Sequence, residues 1–349
     1  MTSGADDRSR RRGKEGKALP QGTYIREMQA ARGAGIILVA LGHSEPVREA
    51  YPLLFSWIYS FHMPLFFLLS GFFSTRLTQD GPVREVVNNV FRRVSYLFVP
   101  YLTVSIAYSA LKHIVSPLAK RPVGLANLPL DILLYPGNNP ALFLWFIYAL
   151  MVMWLLAPLL SRLPAILLLP LLALSQMFSP DIRIFGLGNV FHFVVYYYLG
   201  ILAAAKRETV LEIVGKRAVC GASLALFITG NVLFPGRELP GLELTVAVAG
   251  SVWIISCCFV CRERLPMTFL ESCGRYSLQI YLLQYFFIFP LYFLLKSRGV
   301  PGEWIVPATF AAGLLAPLAL CRWVFPRTAV LSFLLGGRDL EGPRAGRRS

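Results

Sequence analysis

Apolar runs of roughly 17 to 23 residues recur along the chain, each long enough as a helix to cross a hydrocarbon core of about 30 Å. They fall near 30–48, 53–73, 94–115, 141–160, 163–179, 187–205, 218–234, 242–261, 277–296 and 303–325, with short polar or basic interruptions between them. A backbone in lipid must satisfy its own hydrogen bonds, so runs of this length predict helices. The expected fold class is an all-α polytopic membrane protein with about ten transmembrane helices. The expected domains are a basic, disordered N-terminal tail over 1–22, one ten-helix membrane domain over 24–326 and a basic C-terminal tail over 327–349. Pro158, Pro170, Pro290 and Pro317 lie inside the runs and predict kinks.

Composition agrees with this pattern: 56% of residues are apolar and 15% charged, with a mean hydropathy of +0.57. The charge then orients the helices. Of the 34 Lys and Arg, eight fall in alternate loops: Arg48, Lys112, Lys120, Arg121, Arg183, Arg237, Lys296 and Arg298. The other 26 lie with the tails and the remaining loops, so the positive-inside rule predicts both termini in the cytoplasm. A net charge of +15 distributed in this way implies anionic lipid headgroups as partners, not nucleic acid. The first apolar run starts about 30 residues in, without a small-residue cleavage site, and reads as a retained helix. The predicted location is the cell membrane, multi-pass, and the cytoplasmic membrane if the source is bacterial.

The six cysteines lie in or beside the runs, which argues against a disulfide framework. Cys258 and Cys261 have CxxC spacing but lack companion ligands in the sequence, so helix packing is the expectation and no metal is assigned. The loop over 116–140 is rich in Pro, Gly and Asn, and reads as irregular backbone, a connector or a cap over a substrate entrance.

Candidate chemistry begins in RGAGIILVALGH, residues 32–43. Eleven residues along a helix turn it by a net 20° or so and raise it by about 16 Å. Arg32 and His43 are thus expected on one face at two depths. An arginine near a helix end can snorkel to the headgroups. A histidine inside a span has no such exit and needs a partner or a polar cavity. The short turn SEPVREAYP makes the next run an antiparallel neighbour carrying His62, at a depth similar to that of His43.

REMQAARGAGIILVALGH and IYSFHMPLFFLLSGFF resemble the first two helices of the integral-membrane acyltransferase 3 family, especially its fucose 4-O-acetylase-like branch. Weaker matches are RRVSYLFVPYL, LWFIYAL, FVVYYYLGIL and GRYSLQIYLLQYF. Two residues depart from the pattern: Gln29 stands where aspartate is frequent, and Gln284 where histidine is. The resemblance implies a membrane O-acyltransferase that moves an acyl group, usually acetyl from cytoplasmic acetyl-CoA, to a hydroxyl of a sugar or cell-surface glycan. Acetyl-CoA is then a co-substrate and not a resident cofactor.

His43 fits the general base, since a sugar hydroxyl must lose its proton as it attacks the thioester. Arg32 fits a CoA phosphate or developing negative charge. His62 is expected to orient His43, to contact the acceptor or to donate to the oxyanion. Arg92, Arg93 and Arg275 are further candidates for the CoA phosphates, against plain cytoplasmic anchoring. Trp145 and Tyr148 suit stacking on a sugar or nucleotide, against ordinary aromatic packing. The competing classes are a transporter or flippase without covalent chemistry and a membrane interaction protein without activity.

Overall fold

The computed structural model describes residues 24–337 apart from 75–76, 78–81, 115–126 and 236–240. The N-terminal tail, part of the 116–140 loop and the end of the C-terminal tail lie outside the described residues. Almost everything described is helical, and no strand occurs among the described residues.

Seven helical stretches are long and apolar enough to cross a membrane: Pro52–Phe72, Val83–Ile114, Leu142–Leu160, Ile184–Ala205, Leu242–Val260, Ser277–Ser297 and Gly302–Arg327. Three further predicted runs form shorter helices, Arg26–Gly42 (17 residues), Ala165–Met177 (13) and Arg217–Leu233 (17). At 1.5 Å per residue a 13-residue helix reaches only about 20 Å, short of the hydrocarbon thickness. Large apolar side chains such as Ile166, Leu167 and Phe293 are exposed along the outer surface. A continuous surface of that kind suits lipid and would be a liability in water.

We label the helices that build the site α1 (Arg26–Gly42), α2 (Pro52–Tyr59), α3 (His62–Phe72), α4 (Val83–Ile114), α5 (Trp145–Leu160), α6 (Ala165–Met177), α7 (Leu187–Ala205), α8 (Arg217–Leu233), α9 (Leu242–Val260), α10 (Met267–Arg275), α11 (Ser277–Ser297) and α12 (Gly302–Ala319). α1 is the central element, packed against α10, α9, α11, α3 and α12. Two crossings are closed by glycine pairs. At α1 and α10, Gly33 and Gly274 face the partner backbone so closely that a Cβ on either would collide with a carbonyl, that of Leu270 or of Gln29. Gly71 on α3 and Gly200 on α7 meet in the same way. Without a hydrophobic force between helices in lipid, such small-residue contacts let backbones approach and dispersion hold them.

Two local features differ from the predicted spans. The first span, expected to run to about 48, ends at Gly42. The Ser44 hydroxyl donates to the Ala40 carbonyl at 2.7 Å, and Pro46 disfavours helical backbone at Glu45. His43 therefore stands at the end of the helix rather than within it.

The second run, expected as one helix, is broken between Tyr59 and His62, where Phe61 adopts φ −145°, ψ −14°. Pro64 explains the break. It lacks the N–H that would bond the Ser60 carbonyl, and its ring would crowd that carbonyl. Past the last long helix, Ala329–Leu334 forms a short helix. The Gly336 carbonyl then accepts from Tyr96 Oη at 2.6 Å and Gln279 Nε2 at 3.0 Å, clamping this segment to α4 and α11.

Candidate active site

The two ends of α1 carry different chemistry. Near its N-terminal end, the Arg32 guanidinium lies over the Phe73 ring, 4.8 Å from the centroid. Arg32 makes no hydrogen bond or ion pair among the described residues. Among the described residues another cation, Arg93, lies close to it, as does Tyr96. Arg93 donates to the Phe73 carbonyl at 2.9 Å and lies over the Trp154 ring at 5.0 Å. Two half-buried guanidiniums brought together beside aromatic rings could hold a multiply charged anion. Arg92, one residue earlier on α4, is exposed, since one helical step turns a side chain by about 100°. Arg275 at the end of α10 is exposed as well, with Tyr24 close to it. Gln29 makes no hydrogen bond to Arg32 among the described residues and instead lies at the α1–α10 crossing. Its carbonyl and amide pack against Gly274.

At the other end of α1, His43 is half-buried in an aromatic surround. Its ring stacks on Tyr285 (centroids 5.0 Å apart, 28° between planes) and meets Tyr59 edge-on at 6.4 Å. Tyr59 also meets His62 edge-on at 4.7 Å. The two imidazoles are thus neighbours across one tyrosine, and no hydrogen bond joins them directly.

Each ring has one nitrogen committed. His62 Nδ1 lies 2.9 Å from the Ile58 carbonyl, the acceptor its own backbone N–H would have used in an unbroken helix. A carbonyl can only accept, so Nδ1 carries the proton and Nε2 of the neutral ring keeps its lone pair. His43 Nδ1 lies 3.0 Å from Gln284 Nε2. That amide also reaches the Tyr281 carbonyl at 3.3 Å, while its Oε1 is buried without a protein partner. In this arrangement Gln284 donates to Nδ1. Turning the amide by half a turn would set Oε1 against Nδ1–H and leave Nε2 of His43 as an acceptor, at the loss of the bond from Gln284 Nε2 to the Tyr281 carbonyl.

His43 and His62 face one cavity of about 170 Å³. Tyr59, Tyr281, Phe143, Trp145, Phe193 and Glu243 also line it. Glu243 Oε1 lies 3.1 Å from His192 Nε2, whose Nδ1 is 3.3 Å from the Ser179 hydroxyl. Tyr281 is fixed by donating its hydroxyl to the Phe143 carbonyl. Tyr148 lies outside this cavity, with its hydroxyl on the Leu133 carbonyl and its ring against Tyr101. Arg32 does not line the cavity either, some 16 Å away along α1.

The histidines, Arg32 and Arg93 come from motifs visible in the sequence. Tyr59, Tyr285 and the His192–Glu243 pair were not singled out by it. The only available signal for that pair was an ionisable residue inside each of two apolar runs.

Neither a curated protein nor a solved structure matches the chain. One family does, that described as acyltransferase domain, over residues 25–325. The match takes in every helix that builds the arginine cluster and the histidine cavity, and the chain belongs to the integral-membrane acyltransferase 3 family.

Proposed function

We propose that this membrane acyltransferase moves acetyl from acetyl-CoA to a hydroxyl of a sugar or cell-surface glycan, as in the fucose 4-O-acetylase-like branch, with His43 as general base. The observation that carries the reading is the polarity of α1: a two-arginine cluster near one end and a two-histidine cavity at the other. Under the positive-inside orientation the arginines face the cytoplasm, where acetyl-CoA is made, and the cavity opens outward. Arg32 and Arg93 then hold CoA phosphates, with the exposed Arg92 and Arg275 as longer-range attraction at the same end. The acyl arm extends along α1 toward His43.

The acceptor oxygen attacks the thioester carbonyl, a C–O bond forms and the C–S bond breaks. The hydroxyl proton passes to His43 Nε2 and from there to the departing CoA thiolate. For His43 to accept at Nε2, its Nδ1 must carry a proton. The half-turn of Gln284 provides for this by giving the orphaned Oε1 that N–H as its donor. A second path for the proton has its own support, because His62 already presents a bare Nε2 to the same cavity.

Radiolabelled acetyl-CoA supplied to membranes containing wild-type protein, His43→Gln or His62→Gln in matched amounts tests both paths. Loss of a general base costs about 10²- to 10⁴-fold. The reading expects that loss in His43→Gln with protein level and thermal stability unchanged. The loss appearing in His62→Gln alone would move the base to His62. Acetyl-CoA left unconsumed by the wild type would favour transport without covalent chemistry.

A further inference from the structure

α6, α7 and α9 are joined by a line of three polar side chains in which the His43 chemistry has no part. Ser179 stands two residues past the end of α6, His192 in the second turn of α7 and Glu243 in the first turn of α9. The Ser179 hydroxyl lies 3.3 Å from His192 Nδ1, and His192 Nε2 lies 3.1 Å from Glu243 Oε1. A serine, an imidazole and a carboxylate linked in that order are the parts of an activated nucleophile.

The turn between α6 and α7 holds the serine in place. Ser175, one helical turn before it, donates its hydroxyl to the Phe191 carbonyl at 2.9 Å, tying the last turn of α6 beside His192. Gly188 precedes His192 by one turn on the same face of α7. A Cβ at Gly188 would meet the Pro180 carbonyl at 2.8 Å, so glycine there lets the residues after Ser179 close onto α7. The Ile182 N–H returns to the Pro180 carbonyl and the Gly188 N–H to the Ile182 carbonyl, each at 2.8 Å. Proton positions follow from the partners. A carboxylate only accepts, so in the neutral ring Nε2 carries the proton and Nδ1 keeps its lone pair. Ser179 therefore donates to Nδ1, with its proton aimed at the base. The residue is exposed, so an acyl group can approach its oxygen.

We propose that Ser179, His192 and Glu243 form a second acyl-transfer centre, an esterase-type nucleophile that takes its acyl group from a carboxylic ester. Ser179 Oγ attacks the ester carbonyl and its proton passes to His192 Nδ1, while Glu243 holds the imidazolium through Nε2–H. The C–O bond to Ser179 forms as the bond to the leaving alcohol breaks, and the alcohol oxygen takes the proton from Nδ1. Water then gives a proton to Nδ1 as it attacks the acyl-serine. The carboxylic acid leaves, and the proton returns to Ser179 Oγ. This centre does not rest on the His43 reading, because it needs no CoA. Of its three residues Glu243 lines the His43 cavity.

The test uses full-length protein in nanodiscs without acetyl-CoA. An alkyl fluorophosphonate is the trapping probe, with its adduct located by peptide mass spectrometry, and p-nitrophenyl acetate is the ester. The wild type should carry the adduct on Ser179 and hydrolyse the ester, and Ser179→Ala should lose both. His192→Gln should slow adduct formation and hydrolysis by about 10²- to 10⁴-fold, the usual cost of a lost general base, with the thermal midpoint of the wild type. Glu243→Gln should lower kcat and leave KM, since the carboxylate holds the imidazolium without touching the ester. A wild type that forms no adduct on Ser179 overturns the centre whatever the variants do. So does an adduct that forms at an undiminished rate in His192→Gln.

Discussion

Gln284→Leu separates the orientation of His43 from the stability of the fold. Gln284 is fully buried on α11, and its amide reaches His43 Nδ1 and the Tyr281 carbonyl while Oε1 has no protein partner. Leucine has a similar volume and no polar atom. The loss of the imidazole contact removes one neutral hydrogen bond, worth about 0.5–1.5 kcal/mol net. Expressed in the barrier, that is roughly a two- to tenfold fall in kcat. The KM for acetyl-CoA should not move, because the arginine cluster is a helix-length away.

Stability has two opposing contributions of similar size. Two amide contacts disappear, at a cost of about 1–3 kcal/mol together, and a buried oxygen lacking a partner, itself worth about 1–3 kcal/mol, disappears with them. The thermal midpoint should therefore stay near that of wild type. Gln284→His restores a ring nitrogen and should recover most of the rate. Steady-state acetyl transfer into membrane glycans, read beside a thermal-shift curve, decides it. A Gln284→Leu variant with wild-type kcat would refute the positioning role. One that loses activity only in step with its midpoint would make Gln284 a packing residue.

Arg32→Lys and Arg32→Ala should each weaken acetyl-CoA binding by about ten- to a hundredfold, because a charge-assisted bond to phosphate carries about 1.5–3 kcal/mol. Unchanged KM in both variants would leave Arg32 as an anchoring residue. Gly71→Ala should lower stability by about 1–3 kcal/mol by forcing α3 away from the Tyr197 carbonyl and Gly200, and a wild-type thermal midpoint would contradict the crossing. In a background lacking the six native cysteines, a cysteine at the exposed Asn138 should react with an impermeant thiol reagent from outside intact cells and one at Ser3 should not. The reverse pattern would invert the orientation assumed for donor and acceptor.

How far the sequence carried the site depends on the range of the physics involved. Positions within one helix were legible: an Arg–x₁₀–His spacing on α1 fixes their separation and shared face wherever the helix packs. The relation of His43 to His62 was half legible. A short hairpin makes the two helices neighbours, but the break that Pro64 produces, and the backbone carbonyl it hands to the His62 ring, were hidden within an apolar run. Arg92 and Arg93 are indistinguishable in sequence, because only the packing of α4 decides which of two adjacent guanidiniums turns inward to Arg32. His192 and Glu243 lie 51 residues apart on different helices, a juxtaposition that no local spacing encodes.

The illegible parts are therefore the ones assembled from separate helices. Under the proposed reading α1 supplies a base at one end and an anion site toward the other, whereas Trp145, Phe193 and Glu243 reach the same cavity from α5, α7 and α9.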